Sequence, residues 1–422
     1  METLFKKREK ITVVDSIMGS GKTSWAIQFI NESPEMNKFI FITPYLSEIQ
    51  RVIKNSSKTF IQPEQKGKRS KLASLKQAIV NGQNIASTHA LFKKCDAELL
   101  QLLEAENYIL ILDEVMDVID EINMTKDDIK ILLNSVDDSG DAIVSVGNKG
   151  KVIWNAKNYD SGNYQSIRNI ANSGNLVLFE ESKMYWLFPT DVFKAFNEVY
   201  ILTYMFKGQV QSYYYQLFNI KYTFQSVGFE KERGYYLKEY GGRMTENRQE
   251  LKKLISIFYS TPSSNRDINK IGEKFNAFSK SYLTDHLKNL KYRELIKNNC
   301  YNFYRHKMNR STKLVIWTTF KDYQKIIMPA GLKKGFVPIN ARATNEYADA
   351  NTCIYLSNRY MNPMIKRFFQ SHGIKVNEEA FALSELLQWL FRSAIRNEEP
   401  INVYIPSSRM RILLEKYLNN EI

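Results

Sequence analysis

Ile11-Thr12-Val13-Val14-Asp15-Ser16-Ile17-Met18-Gly19-Ser20-Gly21-Lys22-Thr23-Ser24-Trp25-Ala26-Ile27 is the stretch on which the reading of the chain turns. Its first five residues are a β-branched run that predicts a buried strand, and Ser24 to Ile30 has helical character. A strand, a glycine-rich turn and then Lys-Thr opening a helix is the setting in which a Walker A phosphate loop is credible. Gly19 and Gly21 let backbone N–H groups converge on phosphate oxygens with no Cβ in the way. The helix N-terminus adds the positive end of its dipole. Lys22 would reach the outer phosphates, and Thr23 would offer a hydroxyl to Mg²⁺. Ser20 and Ser24 complete the predicted ATP-binding run of Gly19, Ser20, Gly21, Lys22, Thr23 and Ser24. The pattern departs from Gly-x-x-x-x-Gly-Lys-Thr at one place, where Ser16 stands at the first glycine position.

Further along, Tyr108-Ile109-Leu110-Ile111-Leu112 is an apolar run ending in Asp113-Glu114. A strand buried on both faces of a parallel sheet reads this way. Ligands of open α/β sheets bind at the carboxyl ends of such strands. Asp113 is then the candidate Mg²⁺ ligand beside Thr23, and Glu114 the residue that polarises an attacking water. Phosphoryl transfer asks for positioning and charge neutralisation more than covalent chemistry.

The 422 residues suggest two or three domains. Hydrophobic residues make up 44% and charged residues 25%, which excludes wholesale disorder and collagen-like chains. Cys95, Cys300 and Cys353 are too scattered for a disulfide framework or a metal site, which predicts a reducing compartment. His89, His286, His306 and His372 show no metal spacing either. No apolar run approaches the roughly 20 residues that span a bilayer. The amino-terminal residues lack the apolar core of a signal peptide, so a cytoplasmic location without membrane contact is expected. The net charge of +14 points to a polyanionic partner.

With both phosphate motifs in place, the chain resembles the superfamily 2 helicases and their ATPase relatives of phages and mobile elements. The resemblance implies an α/β fold of two tandem RecA-like P-loop NTPase domains with parallel sheets. ATP and Mg²⁺ would sit between them and nucleic acid, DNA by preference, would cross their top. Phe39 to Pro44 is similar to motif Ia and Asn84 to Phe92 to motif Ib, which implies backbone contacts from Thr43, Pro44, Thr88 and His89. Val199 to Thr203 is similar to the coupling motif, of which only Thr203 carries over because Tyr204 and Met205 follow it. Lys313 to Phe320 is similar to motif IV, implying nucleic-acid contacts from Thr318 and Thr319. Asn340 to Asn345 is similar to motif V, implying contacts from Arg342, Thr344 and Asn345. Gln388 to Arg396 is similar to motif VI, the arginine-finger helix, with Gln388, Arg392 and Arg396 joining Lys22, Asp113 and Glu114 as catalytic candidates. The two arginines stand at +4 and +8 from Gln388, where the family has +4 and +7. They would share a helix face, and Arg396 ranks ahead of Arg392 as the finger.

The first RecA-like domain is expected over 1–206, with an inserted β-containing subdomain over 121–197. Residues 207–264 read as a linker leading into strands at Tyr213 to Tyr215, Tyr222 to Phe224 and Tyr235 to Leu237. The second RecA-like domain takes 265–422. Its segment 281–313 mixes basic residues with Tyr282, Tyr292, Tyr301, Phe303 and Tyr304. That segment is either a stacking surface for unpaired bases or an amphipathic helical pair with a solvated basic face. The expected function is an ATP-dependent nucleic-acid helicase or translocase serving phage or mobile-element replication, with replication proteins as further partners. The alternatives are a terminase-type packaging ATPase, for which Asp322 and Asp349 are the best nuclease acids, and an ATP-binding switch or loader that does not unwind.

Overall fold

Ile11–Asp15 (β1) is a strand with all five residues buried, and it lies at the heart of an eight-stranded sheet. The computed structural model describes residues 9–65, 67, 70–159, 161–242, 246–260, 267–339 and 346–422. In chain order the strands are β1, β2 (Lys38–Thr43), β3 (Phe60–Ile61), β4 (Asn84–Thr88), β5 (Tyr108–Asp113), β6 (Ile119–Glu121), β7 (Val144–Val146), β8 (Val152–Trp154), β9 (Leu176–Phe179), β10 (Lys183–Leu187), β11 (Glu198–Thr203), β12 (Thr223–Glu230), β13 (Gly234–Glu239), β14 (Ile255–Ile257), β15 (Val315–Thr318), β16 (Thr352–Tyr355) and β17 (Ile401–Tyr404).

The first sheet runs β13-β12-β1-β11-β5-β2-β4-β3. Every neighbouring pair in it is parallel except β12 with β13. Helices Lys22–Glu32 and Leu46–Asn55 cover one face through Trp25, Ile30, Ile49 and Val52. Helices Lys71–Val80, Ala97–Ala105 and Val210–Leu217 cover the other. A parallel sheet sandwiched this way keeps its strands apolar on both sides, as the runs at 108–112 and 199–202 are. The second sheet is β14-β17-β16-β15, wholly parallel. Between β5 and β11 the chain leaves the first sheet to build the antiparallel sheet β6-β10-β9 and the hairpin β7-β8. These strands enclose an apolar cluster of their own around Ile129, Leu132, Val152 and Met184. Among the described residues, no helix is long and apolar enough to cross a membrane.

Two expectations need correction. Residues 207–264, read as a linker leading into strands, in large part complete the first sheet, because β12 pairs with β1 in parallel and β13 returns beside it. Among the described residues of that span, β14 alone belongs to the second sheet. Tyr213 to Tyr215 are helical rather than extended. All three are buried, so no polar face marks a period, and β-favouring tyrosines gave the wrong element.

The lobes carrying the two sheets are joined through the segment after β11. Tyr204 and Met205 leave the first sheet and insert into the apolar core of the second lobe, beside Leu386, Leu387 and Tyr417. The Tyr204 hydroxyl lies 2.7 Å from that of Tyr417 and donates to Glu246 at 3.0 Å. Gln209 Nε2 donates to Ser384 Oγ at 2.9 Å. Tyr204→Ala should therefore cost about 3–5 kcal/mol of stability, as aromatic truncations in cores do. Tyr204→Phe should cost about 1 kcal/mol for the lost hydrogen bond. Thermal unfolding checks both, and equal midpoints for all three proteins would mean the insertion does not hold the lobes together.

Candidate nucleotide site

The candidate phosphate loop joins β1 to the helix Lys22–Glu32. Gly19 and Gly21 have φ of 82° and 88°, a left-handed conformation that glycine adopts without strain. Gly21 caps the helix Lys22–Glu32. The loop is tied to two neighbours at its start. Asp15 accepts hydrogen bonds from the backbone N–H groups of Met205 (2.9 Å) and Phe206 (3.0 Å), fixing the turn after β11. Ser16, at the position where glycine is usual, accepts from Val227 N at 2.8 Å and so bolts β12 to the loop. That bond gives a physical reason for the departure: a glycine has no oxygen to offer β12. Neither Asp15 nor Ser16 carries a sequence signal for this role.

Lys22 lies inside the loop, its ammonium donating to the carbonyls of Ser16 (2.6 Å) and Ile17 (3.0 Å). Burial lowers its pKa, against the opposing pull of the Glu114, Asp113 and Asp15 carboxylates. The nearby charge of Arg396 adds to the lowering. Thr23 Oγ1 donates to Asp113 Oδ1 at 3.2 Å, and Thr43 Oγ1 to Asp113 Oδ2 at 3.4 Å. Burial pushes Asp113 up to about 7, with Glu114 and Glu48 adding to the rise and Lys22 and the Thr23 bond opposing it. A carboxylate under such pressure gains from a cation beside it. Glu114 has φ of 79°, and its N–H donates to Leu202 O at 2.9 Å. Glu114 Oε2, just past the end of β5, and Thr203 Oγ1, at the last residue of β11, are buried with no protein partner.

The second lobe closes the cleft. Gln388, Phe391, Arg392 and Arg396 line it opposite Gly21, Lys22 and Glu114, around a volume of about 270 Å³. The predicted helix face does not survive here. The helix Glu378–Leu390 ends before either arginine, and Arg396 sits in the separate 3₁₀ turn Ala394–Asn397. Ser393 is extended at φ −87° and ψ −171°, which breaks the helical path between them. Arg392 is buried, with Nη1 donating to Pro338 O (3.2 Å) and Ile339 O (3.3 Å), whereas Arg396 is exposed at the cleft. Gln388 Nε2 is buried with no protein partner.

Among the described residues, no group of three or more His, Cys, Asp or Glu side chains is arranged to hold a metal ion. The donors present, one hydroxyl and one carboxylate, fit Mg²⁺, which is commonly held by one or two carboxylates plus substrate phosphates. Ser20 and Ser24 stand where expected, at the tip of the loop and in the first turn of the helix.

The expected nucleic-acid contacts fare differently. Pro44 lines the cleft between the lobes, and Thr43 is fully buried against Asp113. Thr318 and Thr319 are buried at the end of β15. Thr88 caps the short helix His89–Phe92 through its hydroxyl. As placed, Thr43, Thr318 and Thr319 offer no surface to a backbone. The stretches 39–44, 84–92 and 313–320 do contain strand ends, but the sequence does not say which side of each end faces outward. Arg342, Thr344 and Asn345 lie outside the described residues. In segment 281–313 Tyr282, Phe303 and Tyr304 are buried in the second lobe, while Tyr301 keeps 39% exposure. Most of its rings are therefore core residues of a helical pair rather than a stacking surface.

Residues 119–186 match the family described as the YonV middle domain, and residues 249–418 the YonV C-terminal Rossmann-like domain. The SPbeta prophage-derived uncharacterized protein YonV of Bacillus subtilis (strain 168) is 38% identical over 98% of this chain and 100% of its own length. Among solved structures, an XPD helicase aligns with 97% of this chain and 94% of its own, at 12% identity and a TM-score of 0.45. The DUF1998 helicase MrfA bound to DNA and AMPPNP aligns with 98% of this chain and 48% of its own, at 11% identity and a TM-score of 0.34. Likenesses that weak add nothing to the geometry. The match to YonV is of another order, spanning both chains almost end to end, and by it this chain belongs to the YonV family.

Proposed function

We propose that the chain is an ATP-dependent nucleic-acid helicase or translocase whose two lobes act as tandem RecA-like domains. One observation carries this reading. Lys22, Thr23, Asp113 and Glu114 converge at the strand ends of the first lobe, and Gln388 and Arg396 of the second lobe face them across one cleft. Lys22 and Arg396 would neutralise the outer phosphates. Thr23 and Asp113 would hold Mg²⁺, which would offset the charge of the phosphates. Glu114 would orient water, using the oxygen that no protein group engages. Because the two sets of groups belong to different lobes, hydrolysis would respond to lobe movement. The Tyr204 insertion and the Asp15 clamp on residues 205 and 206 offer a direct mechanical link.

A cleft of about 1370 Å³ between the lobes supports the nucleic-acid part of the reading. Phe275, Phe320, Tyr360 and Phe381 line it together with Arg359 and Lys280. Aromatic faces can stack on unpaired bases, and basic groups track the phosphates. DNA is the favoured substrate. The prophage relative suggests phage or mobile-element replication in a bacterial cytoplasm as the setting, with replication proteins as partners. The terminase alternative gains no support: Asp322 pairs with Lys280 at the surface, and the described residues hold no metal-binding cluster.

Purified protein should hydrolyse ATP faster in the presence of single-stranded DNA than without it. An identical rate with DNA, RNA or neither would sink the helicase reading. ATP hydrolysis without displacement of tailed duplexes would favour the switch or a duplex translocase.

A further inference from the structure

Tyr235 has no role in any motif, yet it stands at the phosphate loop. Its backbone N–H donates to Gln28 Oε1 at 2.8 Å, and Gln28 Nε2 donates to Arg233 O at 3.1 Å. The β12–β13 turn is thus fastened to the helix that the loop opens. The Tyr235 ring lies against Gly21 so closely that a Cβ there would sit 2.1 Å from a ring carbon. Phe229 supports the ring from the side, with centroids 4.9 Å apart. Tyr235 is part-buried and lines the same cleft as Lys22 and Thr23.

The order of the sheet says which part of a nucleotide would meet this ring. Thr23 and Asp113, which would hold a metal ion, meet on the β5 side of β1. β13 lies on the opposite side, in the order β13-β12-β1-β11-β5. A triphosphate with its outer end at Lys22 and Arg396 would then send its sugar and base away from β5.

We propose that Tyr235 is the stacking platform for the nucleotide base, taking purines in preference to pyrimidines because they offer the larger face. This rests on the phosphate-site reading above. It makes the edge hairpin, which the sequence places in a linker, part of the binding machinery. Gly21 serves two ends in this arrangement: its positive φ shapes the loop, and its missing side chain admits the ring.

The test compares wild type with Tyr235→Ala and Tyr235→Phe, using ATP and inorganic tripolyphosphate as separate ligands in equilibrium binding with Mg²⁺. Circular dichroism and thermal midpoints confirm that each variant folds. Tyr235→Ala should weaken ATP about tenfold or more, in line with the strength of base–aromatic stacking, while tripolyphosphate binding stays unchanged. Tyr235→Phe should keep the wild-type affinity for both, and wild type should prefer ATP and GTP to CTP and UTP. Equal losses for ATP and tripolyphosphate would show that the ring only braces the loop and would overturn the proposal, as would unchanged ATP binding in Tyr235→Ala. Wild type that binds ATP and tripolyphosphate equally well would remove the base contact alone. Failure of wild type to bind either ligand would remove the phosphate site itself.

Discussion

Lys22→Ala should lower ATP turnover by at least about 10²–10³-fold, the usual loss when one preorganised charge-stabilising donor is removed. The surroundings of the residue explain the size of the effect. Its ammonium is held by two backbone carbonyls of the loop, and Asp15, Asp113 and Glu114 all act on it electrostatically. Without it, those acids would face a triphosphate of the same sign, so binding should weaken along with turnover. The fold should tolerate the change. Lys22 adds nothing to the apolar clusters, and burial already works against its charge. The measurement is steady-state ATP hydrolysis alongside a thermal melt. Turnover near the wild-type rate in a folded variant would place the active site elsewhere.

How far the sequence reveals this arrangement depends on what each residue touches. β1, β2, β5 and β11 are legible because strands buried on both faces must be continuously apolar. The loop between β1 and its helix is legible because backbone geometry and phosphate chemistry dictate both glycines and the lysine. The excursion between β5 and β11 is legible from its turn residues and the strand pair at 176–188. The return of β12 and β13 to the first sheet is not. An edge hairpin looks the same in sequence whichever sheet it joins, and the deciding bond, Val227 N to Ser16 Oγ, spans 211 residues. For the same reason Tyr235 reads as a strand residue in a linker. Thr43 shows another limit: the residue type suits a backbone contact, but its hydroxyl is turned to Asp113. Tyr204 and Met205 read as departures from a coupling motif, whereas in the structure they bury themselves in the second lobe. Side-chain direction at a strand end is set by tertiary partners, and a single sequence does not carry them.

Arg396→Ala should reduce single-turnover ATP hydrolysis by about 10³-fold or more, within the range assigned to arginine fingers, and leave the thermal midpoint unchanged. Arg392→Ala should do the opposite in kind. Both arginines line the cleft, so position alone does not separate them. Their surroundings do. The Arg392 guanidinium is committed to Pro338 O and Ile339 O and buried beneath the second lobe's surface, where it fastens the segment after β15 to the end of the helix Glu378–Leu390. Its removal leaves the buried Ile339 carbonyl unpaired, a loss of about 1–3 kcal/mol, and should appear first as a lower melting temperature. Arg396 stands exposed on a short turn, near enough to Lys22 to perturb it, and its charge can move toward a phosphate without abandoning a structural bond. A guanidinium supplied by the second lobe reaches the phosphates only when the lobes are closed, so its effect on the chemical step should exceed its effect on ATP affinity. Measuring affinity and single-turnover rate separately tests that claim. If Arg392→Ala stops hydrolysis in a protein of normal stability while Arg396→Ala remains active, the finger has been assigned to the wrong arginine.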